Sequence, residues 1–172
     1  MDASWDWKEA LWRQFGAAIE MLENAVVTCP EALWGDRSRR PEFWHVAYHT
    51  LFWLDLYLWG SPEGFAPPAP FTLNELDPEA KSSEPLYTKE QLLPYLEHCR
   101  AECRAKLEEL TEEEAARRCG FTWHEMSAGE LFLYNLRHVQ HHAGQLNLLL
   151  RQEVDAAPRW VKRAGSGLRS EG

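Results

Sequence analysis

One long helical pattern near the C-terminal end constrains the fold more than any other stretch of the chain. It begins at Ser127, and Glu130 follows at the spacing of a capping box, in which two side chains satisfy backbone N–H groups at a helix start. Leucines then recur at helical intervals to about Gln152. We therefore predict a long helix with one apolar face over this range.

Two histidines on this predicted helix indicate a metal site. His138 and His142 are four residues apart, so they lie about 40° from each other around the helix axis and share one face. Gln145 falls near the same line, whereas His141 is displaced from it. Two imidazoles one turn apart can bind one metal ion, and a third ligand must then come from another element.

Three further helical patterns precede this one and predict the fold class. They cover about residues 4–27, 42–59 and 88–110, and no stretch shows the alternation typical of a strand. Residues 60–86, rich in proline, glycine and acids, form a long crossover between the second and third helices. Four helices with short links apart from this crossover predict an all-α fold, a four-helix bundle.

Length and composition indicate how many domains the chain forms and which classes of partner are unfavourable. The chain has 172 residues, and we predict one domain at residues 1–164 with a disordered tail at 165–172, which is mostly glycine, serine and charge. A net charge of -9 disfavours nucleic acid and anionic membranes as partners. The longest apolar run, 46–59, is too short and too polar to span a bilayer.

The N-terminal residues and the cysteines predict a cytoplasmic protein. No basic region precedes an apolar one at the start of the chain, so no secretory signal is predicted. The cysteines form no C-x-x-C pair, and we expect buried free thiols in a reducing compartment rather than a metal or redox pair. They are Cys29, Cys99, Cys103 and Cys119.

The second predicted helix carries another pair of histidines, His45 and His49, also four residues apart. This helix is apolar nearly all round, so we expect it to be buried on several sides. A bundle core can bring such side chains onto one metal ion together with His138 and His142. Three neutral imidazoles and a water form an open site suited to Zn, Ni or Fe. The alternative is that these histidines are core or surface residues without a metal.

Two classes of metalloenzyme do not fit the spacing. A zincin requires H-E-x-x-H, but Val139 follows His138. A di-iron carboxylate bundle requires two E-x-x-H motifs. Glu42 and His45 have that spacing, but neither histidine of the last helix has a glutamate three residues before it.

Two segments of the chain resemble the DinB superfamily, a group of metal-dependent helical-bundle proteins. One is FWHVAYHTL at 43–51, and the other is 129–145 with its H-x-x-x-H-x-G-Q pattern starting at His138. The resemblance covers the helical body to about residue 163. It implies an up-down-down-up helix order, with the long crossover between the second and third helices. It also implies a divalent metal held by three histidines.

Carried over onto this chain, the family's ligands are His49, His138 and His142. His45 competes for the first position, but His49 precedes the apolar Thr50-Leu51-Phe52 segment, as the ligand of the family's second helix does. His141 is expected to be an outer-shell or surface residue, and the sequence identifies no catalytic side chain.

Characterised members of the family include thiol-dependent transferases and isomerases. The resemblance therefore implies a small thiol and a small electrophile as partners, and a homodimer. The alternative is a non-catalytic metal site that stabilises the bundle or senses stress or metal. We expect the crossover to roof the site through Phe65, Phe71 and Leu73, and we expect the pocket wall to include Trp53, Trp123 and Tyr134.

Overall fold

The computed structural model of the protein describes residues 6–77, 79–80 and 85–168. Every regular element within them is helical, which confirms the all-α class. No helix in this part of the chain combines the length and the apolar character needed to cross a membrane. The elements are α1 (Trp7–Thr28), α2 (Glu31–Trp34), α3 (Phe43–Trp59), a 3₁₀ turn (Asn74–Leu76), α4 (Lys89–Glu109), α5 (Glu112–Ala116) and α6 (Ala128–Val154).

The helix ends follow local sequence signals. Ser127 begins α6, and its hydroxyl accepts a hydrogen bond from the backbone N–H of Glu130 at 3.2 Å. Thr88 and Gln91 form the predicted capping box at the start of α4. Gly60 ends α3 in the left-handed conformation, with φ of 95°, which glycine adopts without the steric cost of a Cβ atom.

The core lies where the four long helices meet. Both α1 and α3 contact α4 and α6. Most residues of α3 are buried, as its nearly continuous apolar sequence predicts. Asn135 of α6 is buried against α3, and its side-chain amide donates to the carbonyl oxygen of Leu54 at 3.0 Å. This buried hydrogen bond fixes the register between the two helices that carry the candidate site.

The crossover is anchored to the helices by aromatic residues. The ring of Phe71 stacks on those of Tyr48 and Tyr95, with centroids 5.5 and 4.6 Å apart. Phe65 is also buried, and its ring packs edge-on against Phe52 with centroids 5.5 Å apart. These two phenylalanines therefore belong to the core and do not roof a site, contrary to our expectation. Leu73 is exposed.

The segment before residue 169 packs on α1. The indole N–H of Trp12 donates to the carbonyl oxygen of Ser166 at 2.9 Å, and the backbone N–H of Leu168 donates to Glu9 at 2.8 Å. The side chain of Leu168 is buried. Our disorder prediction covered 165–172, of which 165–168 pack in this way and 169–172 lie outside the described residues.

The four cysteines are free and buried. Burial raises the pKa of the Cys99 and Cys103 thiols well above the ordinary value, so neither is a thiolate at neutral pH. Their side chains act as small apolar core residues.

Two glycines provide a stability test that is independent of the candidate site. A Cβ atom at Gly120 would lie 2.6 Å from Cβ of Ser61 and 2.7 Å from the carbonyl oxygen of Gly60. A Cβ atom at Gly144, inside α6, would meet no described atom within 4 Å. We expect Gly120→Ala to lower the free energy of unfolding by about 1–3 kcal/mol through overpacking. We expect Gly144→Ala to raise it by about 0.5–1 kcal/mol, because alanine favours the helix. Urea denaturation measures both changes, and equal stability of the two variants would contradict the prediction.

Candidate metal centre

Three histidines meet where α3 packs against α6. His49 comes from α3, and His138 and His142 come from successive turns of α6. One ring nitrogen from each histidine lies within 4.8 Å of the other two. Nε2 of His49 and Nε2 of His138 are 3.4 Å apart. The structure thus brings together the three residues that the resemblance selects as ligands.

The spacing of two of these nitrogens fits a shared metal ion. Two imidazole nitrogens that bind one tetrahedral ion at about 2.0–2.1 Å lie roughly 3.3–3.4 Å from each other. The separation of the His49 and His138 nitrogens has this value. Three nitrogen donors would suit Zn, Ni or Fe, and an ion held by them would have at least one further position for a small molecule.

The register of α6 against α3 places these side chains. The hydrogen bond from Asn135 to Leu54 holds the two helices together about one turn away from His138. Tyr57 packs edge-on against His138, with ring centroids 6.2 Å apart. His142 follows one turn later on the same face, 4.5 Å from His138 between centroids. The helical period places His138 and His142 on one face of α6, and the packing of α3 against that face brings His49 to them.

Burial keeps two of these histidines uncharged. It lowers the pKa of His138 to about 3, with further contributions from His142 and His49, because a buried imidazolium is poorly solvated and neighbouring positive charges repel it. Burial also lowers the pKa of His142. The neutral ring has the free lone pair that a metal requires, so these ligands need no deprotonation at neutral pH.

Side-chain oxygens hold the outer nitrogens of two rings. Nδ1 of His142 lies 2.7 Å from Oε1 of Gln145. Nδ1 of His49 lies 2.7 Å from Oε2 of Glu75, which is in the 3₁₀ turn of the crossover. With Nδ1 engaged, Nε2 is the nitrogen of each ring that is free to bind a metal ion. Nδ1 of His138 is buried and has no hydrogen-bond partner among the described residues.

Glu75 is the residue of this site that sequence reasoning missed. Its side chain is fully buried, although glutamate usually lies on the surface. Its position in the chain carries one weak signal, because an acidic residue stands between the leucines at 73 and 76 of the crossover. No local spacing connects it with a histidine 26 residues away.

The other histidines lie outside the cluster. Nε2 of His45 is 2.8 Å from Oε1 of Glu75, so this ring contacts the same carboxylate as His49. His141 is exposed and packs on His142 with ring centroids 5.0 Å apart. His98 lies 3.8 Å from Asp55. His124 packs on Tyr134.

A cavity of about 480 Å³ adjoins the cluster. It reaches His138 from the α6 side, and neither His49 nor His142 lines it. Its lining residues are Tyr134, Leu136, Arg137, His138, Gln140 and His141. Of the three expected wall residues, Tyr134 lines this cavity and Trp53 packs near His49, with centroids 6.2 Å apart. Trp123 is half exposed and packs on Phe121.

Comparison with known families agrees with the geometry. The family model of the DinB superfamily matches residues 14–146, a range that contains all three clustered histidines and Glu75. No curated protein and no solved structure matches the chain.

Proposed function

The chain belongs to the DinB superfamily, and from this membership and the histidine geometry we propose that it is a metal-dependent enzyme. The proposed ligands of one divalent transition metal ion are His49, His138 and His142. The proposed reaction is the attack of a low-molecular-weight thiol, or of water, on a small electrophile, as in a thiol S-transferase. The observation that carries the proposal is the 3.4 Å separation of two ring nitrogens in a cluster of three.

A divalent ion held by three imidazoles supplies a Lewis acid that lowers the pKa of a bound thiol or water. The chain's own residues orient and shield the reactants. The cavity beside His138 gives access from one side, and Tyr134 and Leu136 form part of its wall. Arg137 lines the same cavity and can pair with an anionic group of the substrate.

We also propose that the long helices form one bundle in the up-down-down-up order. Lys8 at the start of α1 donates to the carbonyl oxygen of Glu108 near the end of α4, at 2.9 Å. Lys89 at the start of α4 lies 2.7 Å from Glu31, just after α1. These contacts support opposite directions for α1 and α4.

The other two helix pairs support the same order. His49 and Leu54 of α3 contact His138 and Asn135 of α6 respectively, so the numbering runs oppositely along the two helices. The C-terminal ends of α3 and α4 line one cavity, as expected if they run in the same direction. We assign residues 1–164 to a single cytoplasmic domain.

A panel of thiols and electrophiles, assayed with and without a chelator, tests the function. We expect turnover with at least one thiol–electrophile pair, its loss on chelation, and its recovery when Zn, Ni or Fe is restored. A turnover rate that is the same with and without the chelator contradicts the metal mechanism. The absence of turnover with every thiol, in protein that binds metal, favours the non-catalytic alternative.

We expect a homodimer in solution. The family resemblance implies this state, and a second chain would cover apolar side chains of α6 such as Leu133 and Leu148, which are both 54% exposed. Small-angle scattering over a concentration series measures the mass. A monomer mass throughout the series contradicts the prediction.

A further inference from the structure

The Glu75 carboxylate connects the crossover to the candidate metal centre. Its side chain is fully buried, and its two oxygens lie 2.8 Å from Nε2 of His45 and 2.7 Å from Nδ1 of His49. The indole N–H of Trp53 also donates to Glu75, at 3.3 Å. His45, His49 and Trp53 belong to α3.

These contacts select one tautomer of each histidine. When Glu75 is ionised its oxygens only accept hydrogen bonds, and the nitrogens that face them then carry protons. His49 is therefore protonated on Nδ1, and its Nε2 lone pair points to the side where His138 and His142 lie. This is the form in which His49 can bind a metal ion.

The backbone that carries Glu75 is held in place. The hydroxyl of Tyr48 donates to the carbonyl oxygen of Thr72 at 3.1 Å, and the Phe71 ring stacks on Tyr95. The carboxylate thus sits on a packed segment, three residues beyond Thr72 and four beyond Phe71. A group positioned in this way can fix a ring orientation before any metal arrives.

We infer that Glu75 is a positioning residue, which fixes the tautomer and orientation of His49 and places a negative charge behind the metal centre. The part that concerns metal affinity rests on the proposed function, whereas the part that concerns the tautomer does not. Burial of a carboxylate is unfavourable unless hydrogen bonds and a positive charge compensate it.

Glu75→Gln tests this inference. His45 and His49 face different oxygens of Glu75, and glutamine replaces one of these oxygens with an NH2 group, which donates and cannot accept. We expect the affinity for Zn, measured by chelator competition, to fall about 10–100-fold, as is usual when an outer partner of a metal-binding histidine is lost. In metal-free protein, ¹⁵N NMR of the His49 ring should show the Nδ1–H form in the wild type and a mixture of forms in the variant.

Two further variants separate positioning from general effects. Glu63→Gln makes the same chemical change at an exposed site of the crossover, and we expect it to leave affinity and tautomer unchanged. His45→Gln removes the other histidine that contacts Glu75, and it should weaken zinc binding less than Glu75→Gln does. Circular dichroism checks that each variant is folded.

The outcomes distinguish this inference from the proposed function. If the folded Glu75→Gln variant binds zinc as tightly as the wild type does, the inference is wrong and the proposed function still stands. If the wild-type protein binds no metal, the proposed function is wrong. The NMR measurement of the His49 tautomer then tests the inference on its own. An Nε2–H tautomer of His49 in metal-free wild-type protein overturns it whether or not the variant folds.

Discussion

The purified protein is expected to carry about one divalent transition metal ion per chain. The double variant His138→Ala/His142→Ala is expected to carry less than about 0.1 ion per chain. The variant removes two of the three imidazoles that lie within 4.8 Å of one another. A single remaining histidine does not form a transition-metal site of useful affinity in competition with water. Elemental analysis of protein made without an affinity tag or added metal measures both values.

His141→Ala is the matched control for this experiment. His141 lies between the two ligands on the same helix, but its side chain is exposed and outside the cluster. We expect full occupancy in this variant. Alanine is the best helix former, so the helical content of all the variants should stay close to that of the wild type. Full metal occupancy in the double variant contradicts the ligand assignment.

The second large effect is expected from His49→Ala. If the thiol chemistry depends on the metal centre, the loss of the only α3 ligand should reduce turnover about 1,000-fold or more, which corresponds to several kcal/mol of barrier. The variant also removes the ring nitrogen that lies 3.4 Å from Nε2 of His138, so only His138 and His142 of the cluster remain. Steady-state kinetics with the best thiol and electrophile from the panel measures this change.

His98→Ala is the control for His49→Ala. His98 is also a partly exposed helical histidine near a carboxylate, but it lies on α4, away from the cluster. We expect its turnover to match that of the wild type. Turnover of His49→Ala at the wild-type level contradicts the assignment of His49, and metal loss in a His45→Ala variant in its place would point to the neighbouring histidine.

The crossover shows where sequence reasoning about function went wrong. We expected Phe65 and Phe71 to cover a substrate, because large apolar residues in a long loop need a partner. The structure buries both in the aromatic core, Phe71 between Tyr48 and Tyr95. A loop with no core of its own gains most by burying such rings against the helices.

The crossover's contribution to the site comes instead from a charged residue. Glu75 is buried against His45 and His49, although an isolated acidic residue in a loop is most often solvated. Its burial depends on hydrogen-bond donors that α3 provides, and these donors are visible only after the crossover has folded onto that helix.

The sequence by itself determined the helical elements and half of the candidate site. Ser127 and Thr88 start helices because their side chains satisfy backbone N–H groups locally, and Gly60 ends one because it adopts a positive φ. His138 and His142 share a face because the helical period places residues four apart together. Each of these features depends on neighbours within one or two turns, so the local sequence is sufficient to predict it.

The tertiary structure shows which residues complete the cluster, a choice that the family resemblance implied but that no local spacing determines. His45 and His49 stand one turn apart on α3, so their spacing cannot tell which of them meets α6. The register of α6 against α3, held by the Asn135–Leu54 hydrogen bond, places His49 beside His138. His45 contacts Glu75 and lies outside the cluster. Such contacts join residues far apart in the chain, and they arise from the packing of whole helices, which no local pattern encodes.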